Sequence, residues 1–351
     1  DMVTQTILSE SFMPPAYDIA WSVVFMLGPL LVVLGGTFAL ALALATRATR
    51  RRAAAASSPL AAATILAAAR ATTAHVVAWL VTLLTTVALL TVGGIALGPL
   101  LMPRFADYAP DADYWATGWN PVPLALAPAG IAFAYLAVLL VGEATWPSSD
   151  GTVRRAGLAA RTTGSIAPAA LRTLTWAWSA LLVVAALTGG LTATRPGTLQ
   201  RSVAAPRPGR ENLVELVTAT PYPSWQAAVP LAAGALVLVI AVEIVLRRVT
   251  NRPAVEGVDA TWDLALRRLT ARRVLRLPQL VAGLTLCLVL LWLGSSFVTV
   301  EEPVTGWSLV VLGSTAGVVA LALAVVPGRP LPRVAPDVLP VPRPARAPQE
   351  A

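Results

Sequence analysis

Three carboxylates lie close together in one short polar stretch of the chain, at Asp107, Asp111 and Asp113. Aromatic residues are interleaved with them, at Tyr108, Tyr114 and Trp115. Carboxylate oxygens are ligands for divalent cations, and a carboxylate can also act as a general base on a bound substrate. The stretch therefore suggests an ion or sugar-like ligand, or an envelope enzyme acting on a lipid-linked substrate. A solvated acidic loop is the simpler alternative, because the spacing matches no specific motif.

Two further carboxylates, Glu143 and Glu243, each follow a long apolar run. Ionisable groups at such positions are costly unless they are paired or hydrated, so both are candidates for transport chemistry. Arg247 lies four residues after Glu243, which predicts a local ion pair instead. Glu143 has no arginine at that spacing and must find its partner in another loop.

The only histidine, His75, and the only cysteine, Cys287, both lie within apolar runs. His75 could relay a proton, or it could bond a lipid headgroup or the backbone at the membrane surface. One histidine and one cysteine cannot form the ligand clusters that bind transition metals, and one cysteine cannot form an internal disulfide. The sequence therefore predicts no metal site of that kind and no cofactor.

The elements that carry these residues are long apolar segments. Of 351 residues, 56% are apolar, and the mean hydropathy is +0.71. A helix needs roughly 20 residues to cross the hydrocarbon core, and lipid forces backbone hydrogen bonds to be satisfied within the segment. Uncharged runs of this length predict an all-α, polytopic transmembrane helical bundle of seven spans, at residues 19–46, 71–103, 114–142, 173–194, 216–242, 277–300 and 303–328.

Charge placement predicts the orientation of these spans. The 26 basic residues, all arginine, give a net charge of +8 and concentrate after the first, third, fifth and seventh spans. The segments after the second, fourth and sixth spans hold only five arginines and carry Asp107, Asp111, Asp113, Glu211, Glu215, Glu301 and Glu302. Because cytoplasmic loops retain positive charge, this pattern places the N-terminus outside and the C-terminus in the cytoplasm, in the plasma membrane. Short arginine clusters between apolar runs also argue against a nucleic-acid partner.

Pairs of spans begin near residues 19, 122 and 226, about one hundred residues apart, which suggests three parallel helical hairpins followed by one helix. The predicted segments are an outer N-terminal segment 1–18, a first hairpin 19–103, an acidic loop 104–121, a second hairpin 122–194, an outer loop 195–225, a third hairpin 226–300, a seventh span 303–328 and a Pro/Arg-rich cytoplasmic tail 329–351.

The segment from 259 to 276 has the pattern of a basic amphipathic helix, with Asp263 and Arg267 spaced for an ion pair. Such helices bind anionic headgroups or dock other proteins. We therefore expect the lipid bilayer, anionic headgroups and other membrane or cytoplasmic subunits as partners. The candidate docking residues are Arg267, Arg268, Arg272, Arg273 and Arg276.

The residues from Val242 to Pro253, together with those from Asp259 to Arg276, resemble a segment of uncharacterised multi-pass membrane proteins of actinobacteria. The resemblance covers about a tenth of the chain and implies a small transport or envelope system. The spans carry few polar residues away from their ends, which favours a non-catalytic subunit or scaffold of a larger membrane assembly. A permease component working with a separate cytoplasmic ATPase is the first alternative, and the envelope enzyme is the second.

Overall fold

The computed structural model describes residues 42–56, 58–101, 122–146, 162–204, 214–219, 222–254 and 260–325. Residues 42–54 are helical. The helices that follow are α1 (Pro59–Leu101), α2 (Val122–Ala144), the one-turn α3 (Thr163–Ile166), α4 (Ala169–Thr192), α5 (Trp225–Asn251), α6 (Ala260–Thr299) and α7 (Pro303–Val325). The two strands, β1 (Leu199–Ala204) and β2 (Val214–Ala219), connect α4 to α5.

The described residues form an all-α polytopic bundle in which six helices, α1, α2 and α4 to α7, are long and apolar enough to cross a membrane. The chain is therefore a multi-pass membrane protein. These six helices match the second to seventh predicted spans. Most of the first predicted span lies outside the described residues, as do the predicted segments 1–18, 104–121 and 329–351.

α6 is the longest of the apolar helices after α1, with 40 residues, and it runs without interruption through Pro278. At about 1.5 Å per residue it is about 60 Å long, twice the thickness of the hydrocarbon core. The predicted amphipathic helix and the predicted sixth span are thus two halves of one helix. Pro128 and Pro230 also lie within continuous helices, α2 and α5, because neighbouring helices in a bundle support the one backbone bond that a proline removes.

Small residues allow α6 and α7 to pack closely. A Cβ atom at Gly306 would lie 2.7 Å from the carbonyl oxygen of Gly294, and one at Gly317 would lie 2.9 Å from Cys287 Sγ. A Cβ at Gly313 would lie 3.0 Å from the Cys287 carbonyl oxygen. Gly313 and Gly317 thus let α7 approach α6 closely, and Cys287 is a free thiol in this interface.

The remaining helices pack around α6. α4 lies against α5 and α6, α2 lies against α1 and α5, and the principal core residues belong to α2, α4, α5 and α6. α2 thus contacts α5 more extensively than it contacts α4, its partner in the predicted second hairpin. The hairpin repeat stays a prediction, since the closest packing crosses its proposed units.

Sequence reasoning missed a β-hairpin between α4 and α5. β1 and β2 are antiparallel, with Leu199 opposite Ala219 and Ala204 opposite Val214. The predicted fifth span began at residue 216, but residues 214–219 form a strand and the helix begins at Trp225. Val214, Val217 and Thr218 are β-branched and favour the strand, and Pro223 separates it from the helix.

Candidate functional site

The charged side chains of the described spans meet at one end of the bundle, which we call the arginine-rich end. It is formed by the beginnings of α1, α4 and α6 and the ends of α2 and α5. Arg70 links the start of α1 to the end of α2 through a hydrogen bond of 2.9 Å to Thr145 Oγ1 and another to the Thr145 carbonyl. The alternating helix directions bring residues together here that lie far apart in the chain.

Four charged residues form a buried ion network at this end: Glu143, Arg252, Asp263 and Arg267. Arg252 Nη1 lies 3.4 Å from Glu143 Oε1, and Arg252 Nη2 lies 3.7 Å from Asp263 Oδ1. Arg267 Nε donates to Asp263 Oδ2 at 2.8 Å, which confirms the predicted pair four residues apart. Two carboxylates and two guanidiniums alternate, so the network is electrically balanced.

The network excludes water, since the Arg252 side chain is 0% exposed and that of Glu143 is 6% exposed. Burial lowers the pKa of the Arg252 guanidinium, and the nearby carboxylates of Glu143 and Asp263 raise it. The guanidinium carbon also lies 4.3 Å from the ring centre of Trp146, a cation–π contact. Arg252 therefore contacts groups from three parts of the chain, α2, the turn after α2, and α6.

Arg267 also closes the end of α5. Its Nη1 donates to the carbonyls of Val249 and Thr250, at 3.1 and 2.7 Å, and its Nη2 donates to the carbonyls of Arg252 and Pro253, at 2.9 and 3.3 Å. The last carbonyls of a helix lack intrahelical partners and carry partial negative charge. One buried guanidinium satisfies two of them, at Val249 and Thr250, and two more carbonyls in the segment that follows, so Arg267 ties the start of α6 to the end of α5.

Glu243 pairs with a different arginine from the one predicted. Arg172 of α4 donates to it from Nε at 2.7 Å and from Nη2 at 2.9 Å, and Trp176 Nε1 donates at 3.2 Å. The predicted partner Arg247 is exposed. The planar fork of Arg172 reaches both carboxylate oxygens at once, a bidentate contact that links α4 to α5.

His75 lies in a chain of hydrogen bonds between α1, α2 and α6. Trp79 Nε1 donates to His75 Nε2 at 3.3 Å, and His75 Nδ1 lies 3.0 Å from the Tyr135 hydroxyl. The hydroxyl donates to the Arg273 carbonyl at 3.0 Å. Since an indole only donates, this pattern assigns a neutral imidazole with its proton on Nδ1. This series of hydrogen bonds ends on the Arg273 carbonyl, which has no proton to pass on. The arrangement therefore favours a positioning role for His75 over a proton relay.

The five candidate docking arginines face in different directions. Arg267 is 2% exposed and fully occupied within the bundle, so it is not available to a docking partner in this structure. Arg268 is exposed, and its Nε donates to the Ser165 carbonyl at 3.3 Å. Arg272, Arg273 and Arg276 are half-buried. Arg273 Nη1 donates to the Ala71 carbonyl at 3.0 Å, which joins α6 to α1.

The predicted outer carboxylates Asp107, Asp111 and Asp113 lie outside the described residues. Within the described ranges, no group of three His, Cys, Asp or Glu side chains is placed to hold a metal ion. The burial of three polar residues, Arg252, Tyr135 and Gln279, was not predicted from the sequence. The available signal for Gln279 was a polar residue at the start of an otherwise apolar run, directly after Pro278.

Chemically, this arrangement can fix helix ends and carry positive charge to the membrane surface. Its carboxylates are engaged by arginines, and its imidazole is bonded at both nitrogens. Comparison of the chain with protein-family models, with curated proteins and with solved structures finds no match in any of the three. The resemblance to actinobacterial membrane proteins therefore stays a prediction, and proposals about function rest on the geometry of this chain alone.

Proposed function

We propose that the protein is a non-catalytic integral membrane subunit, or scaffold, of a larger assembly in the plasma membrane. The observation that carries the proposal is the placement of charge. In the six described spans, aspartate, glutamate and arginine occur only toward the arginine-rich end, and Glu143, Glu243 and Asp263 are each paired there. A transporter or enzyme normally keeps ionisable groups free at a pathway or a reacting centre.

The packing of the outer helices supports this proposal. In the most apolar stretch of α6, 56% of the residues are buried within the protein, but the corresponding shares are 22% for α7 and 11% for α1. α7 presents Val311, Leu312 and Val318 outward, each more than half exposed. In a membrane, such apolar faces are covered by lipid or by helices of other subunits. The ion pairs at the arginine-rich end hold the helices together, so that the outer faces of α1 and α7 are available for such contacts.

Photo-crosslinking in native membranes tests the proposal. A tagged protein carrying a photoreactive amino acid at Val311, which is 64% exposed, is irradiated and purified under denaturing conditions. The matched control carries the same amino acid at Leu293, which is 1% exposed. We expect a specific protein adduct from position 311 and none from position 293. Adducts with lipid alone, at 311 and at other outward positions on α1 and α2, would contradict a subunit role.

A permease component that works with a cytoplasmic ATPase is the second candidate. It is favoured by α6, whose first half extends past the apolar stretch and exposes Arg268. Purification in a mild detergent, followed by mass spectrometry, distinguishes the two functions. A stoichiometric ATPase whose retention is lost in Arg268→Glu would support the permease, whereas membrane or envelope subunits retained in that variant would support the scaffold.

The envelope enzyme proposal depends only on Asp107, Asp111 and Asp113. Replacing all three with asparagine removes their charge and basicity while retaining their size. Loss of function in this variant, with normal levels of protein in the membrane, would support the enzyme. Full function of the triple variant would rule out the envelope enzyme proposal.

A further inference from the structure

Arg273 and Arg276 lie on α6 where it passes the start of α1, and both are half-buried. Among the described residues, the carboxylates at this end are already engaged: Glu143 with Arg252, Glu243 with Arg172, and Asp263 with Arg267. Arg273 Nη1 donates a hydrogen bond to the Ala71 carbonyl. Arg276 Nε is buried and has no hydrogen-bond partner within the described part of the chain. Within the described ranges, these two neighbouring cations are thus left without a counter-charge.

A half-buried guanidinium without an anion is costly, because it loses hydration and no ion pair compensates for that loss. The polar side chains nearby do not supply this anion. Tyr135 and His75 are bonded to each other and to the Arg273 carbonyl, so they offer dipoles but no negative charge. No carboxylate among the described residues at this end is left to balance these two arginines. A phosphate suits them, since a guanidinium fork binds two phosphate oxygens in parallel.

The neighbouring surface of α1 identifies the source of this phosphate. Val76, Trp79 and Leu83 follow one another along a single face of α1 and are 37%, 43% and 52% exposed. Trp79 is linked to the Arg273 carbonyl through His75 and Tyr135. An apolar stripe that starts beside two arginines, with a tryptophan at the junction, is the pattern that matches a lipid, whose headgroup is anionic and whose chains are apolar.

We propose that Arg273 and Arg276 bind the headgroup phosphate of an anionic phospholipid, whose acyl chains lie along Val76, Trp79 and Leu83 of α1. The lipid would complete the charge balance where α1, α2 and α6 meet. This site is separate from the buried ion network, whose arginines are already paired. It is also independent of the proposed subunit role, because a subunit, a permease or an enzyme could each carry it.

Lipid titration of the full-length protein tests this site. Protein stripped of lipid in a neutral detergent is titrated with phosphatidylglycerol, and native mass spectrometry measures the bound fraction. Each arginine near an anionic lipid contributes enough to weaken binding about fivefold when it is lost. We therefore expect Arg276→Gln to bind about fivefold more weakly and the double variant Arg273→Gln/Arg276→Gln about thirtyfold more weakly.

The matched control is Arg247→Gln/Arg248→Gln, which removes the same charge from two exposed arginines at the end of α5. We expect its affinity to stay within about twofold of wild type. Arg276→Gln keeps the Arg273–Ala71 bond and so remains informative if the double variant fails to fold. Equal weakening in the control, unchanged affinity in Arg276→Gln, or equal binding of phosphatidylcholine would each overturn the proposal. Displacement of the lipid by inorganic phosphate at matched concentration would instead indicate a free-anion site and would also overturn it.

Discussion

The guanidinium of Arg267, in the second turn of α6, donates a hydrogen bond of 2.7 Å to the backbone carbonyl of Thr250 in the last turn of α5. Both residues are buried. Because the same side chain also bonds three neighbouring carbonyls and Asp263, it acts as the C-terminal cap of one helix and as part of the next. The position of α6 against α5 thus depends on a planar group with several donors.

Replacement of Arg267 by lysine should therefore be strongly destabilising although it keeps the charge. An ammonium group is a compact donor that cannot reach Asp263 and four carbonyls at once, so buried acceptors lose their partners. We expect Arg267→Lys to lower the free energy of unfolding by about 2–4 kcal/mol. The measurement is reversible unfolding in detergent micelles. The control is Arg268→Lys, at an exposed position, where a change within about 0.5 kcal/mol is expected. Equal effects of the two changes would show that the fork of Arg267 is unimportant.

The ion pairs Arg252–Glu143 and Arg172–Glu243 should differ in how much stability is lost when the arginine is replaced. Arg252 is 0% exposed, so Arg252→Gln leaves Glu143 charged and unpaired in the protein interior. Breaking a buried pair in this way costs about 3–5 kcal/mol. The side chain of Arg172 is 35% exposed, and after Arg172→Gln water can reach Glu243, so we expect about 1 kcal/mol or less.

The double variant Glu143→Gln/Arg252→Gln checks the cause of this difference. If the cost arises from an uncompensated charge, removing both charges should recover part of the stability lost in Arg252→Gln. Thermal unfolding of the variants in one detergent gives the comparison. A double variant less stable than Arg252→Gln alone would contradict the charge explanation.

The spans could be predicted from sequence because lipid imposes a length and an apolar composition on each one. The predicted span 173–194 corresponds to α4, Ala169–Thr192, and the predicted span 303–328 corresponds to α7, Pro303–Val325. Within a helix, spacing also predicted the Asp263–Arg267 pair. The pairs between helices could not be predicted, since partners 71 and 109 residues apart depend on how helices pack. The β-hairpin was missed because its strands are short and border an apolar run.

Gln279 should destabilise the isolated protein. It is 0% exposed, and neither its amide nitrogen nor its amide oxygen has a hydrogen-bond partner among the described residues. A buried polar group without partners costs about 1–3 kcal/mol, and leucine has a similar volume. We therefore expect Gln279→Leu to raise the free energy of unfolding by about 1–2 kcal/mol. The control is Gln226→Leu, at an exposed position of α5, where little change is expected. Destabilisation by Gln279→Leu would reveal a bound partner, such as water, that satisfies the amide.

Glu301 adopts a left-handed backbone conformation, with φ of 62°, in the short turn between α6 and α7. The amide of Glu302 donates to the Phe297 carbonyl at 2.9 Å, which is the bond that closes a helix whose next residue is left-handed. A residue with a Cβ atom pays about 1–2 kcal/mol for this conformation, whereas glycine does not. Glycine also gains freedom in the unfolded chain, which offsets about 0.5–1 kcal/mol.

We therefore expect Glu301→Gly to raise the free energy of unfolding by about 0.5–1 kcal/mol. Glu301→Ala is the matched control, because alanine removes the carboxylate but keeps the Cβ atom and its strain. If backbone strain is the cause, thermal unfolding should show stabilisation in the glycine variant only. Equal stabilisation in both variants would instead identify repulsion between the carboxylates of Glu301 and Glu302 as the cause, and an unchanged glycine variant would mean that the turn relaxes without cost.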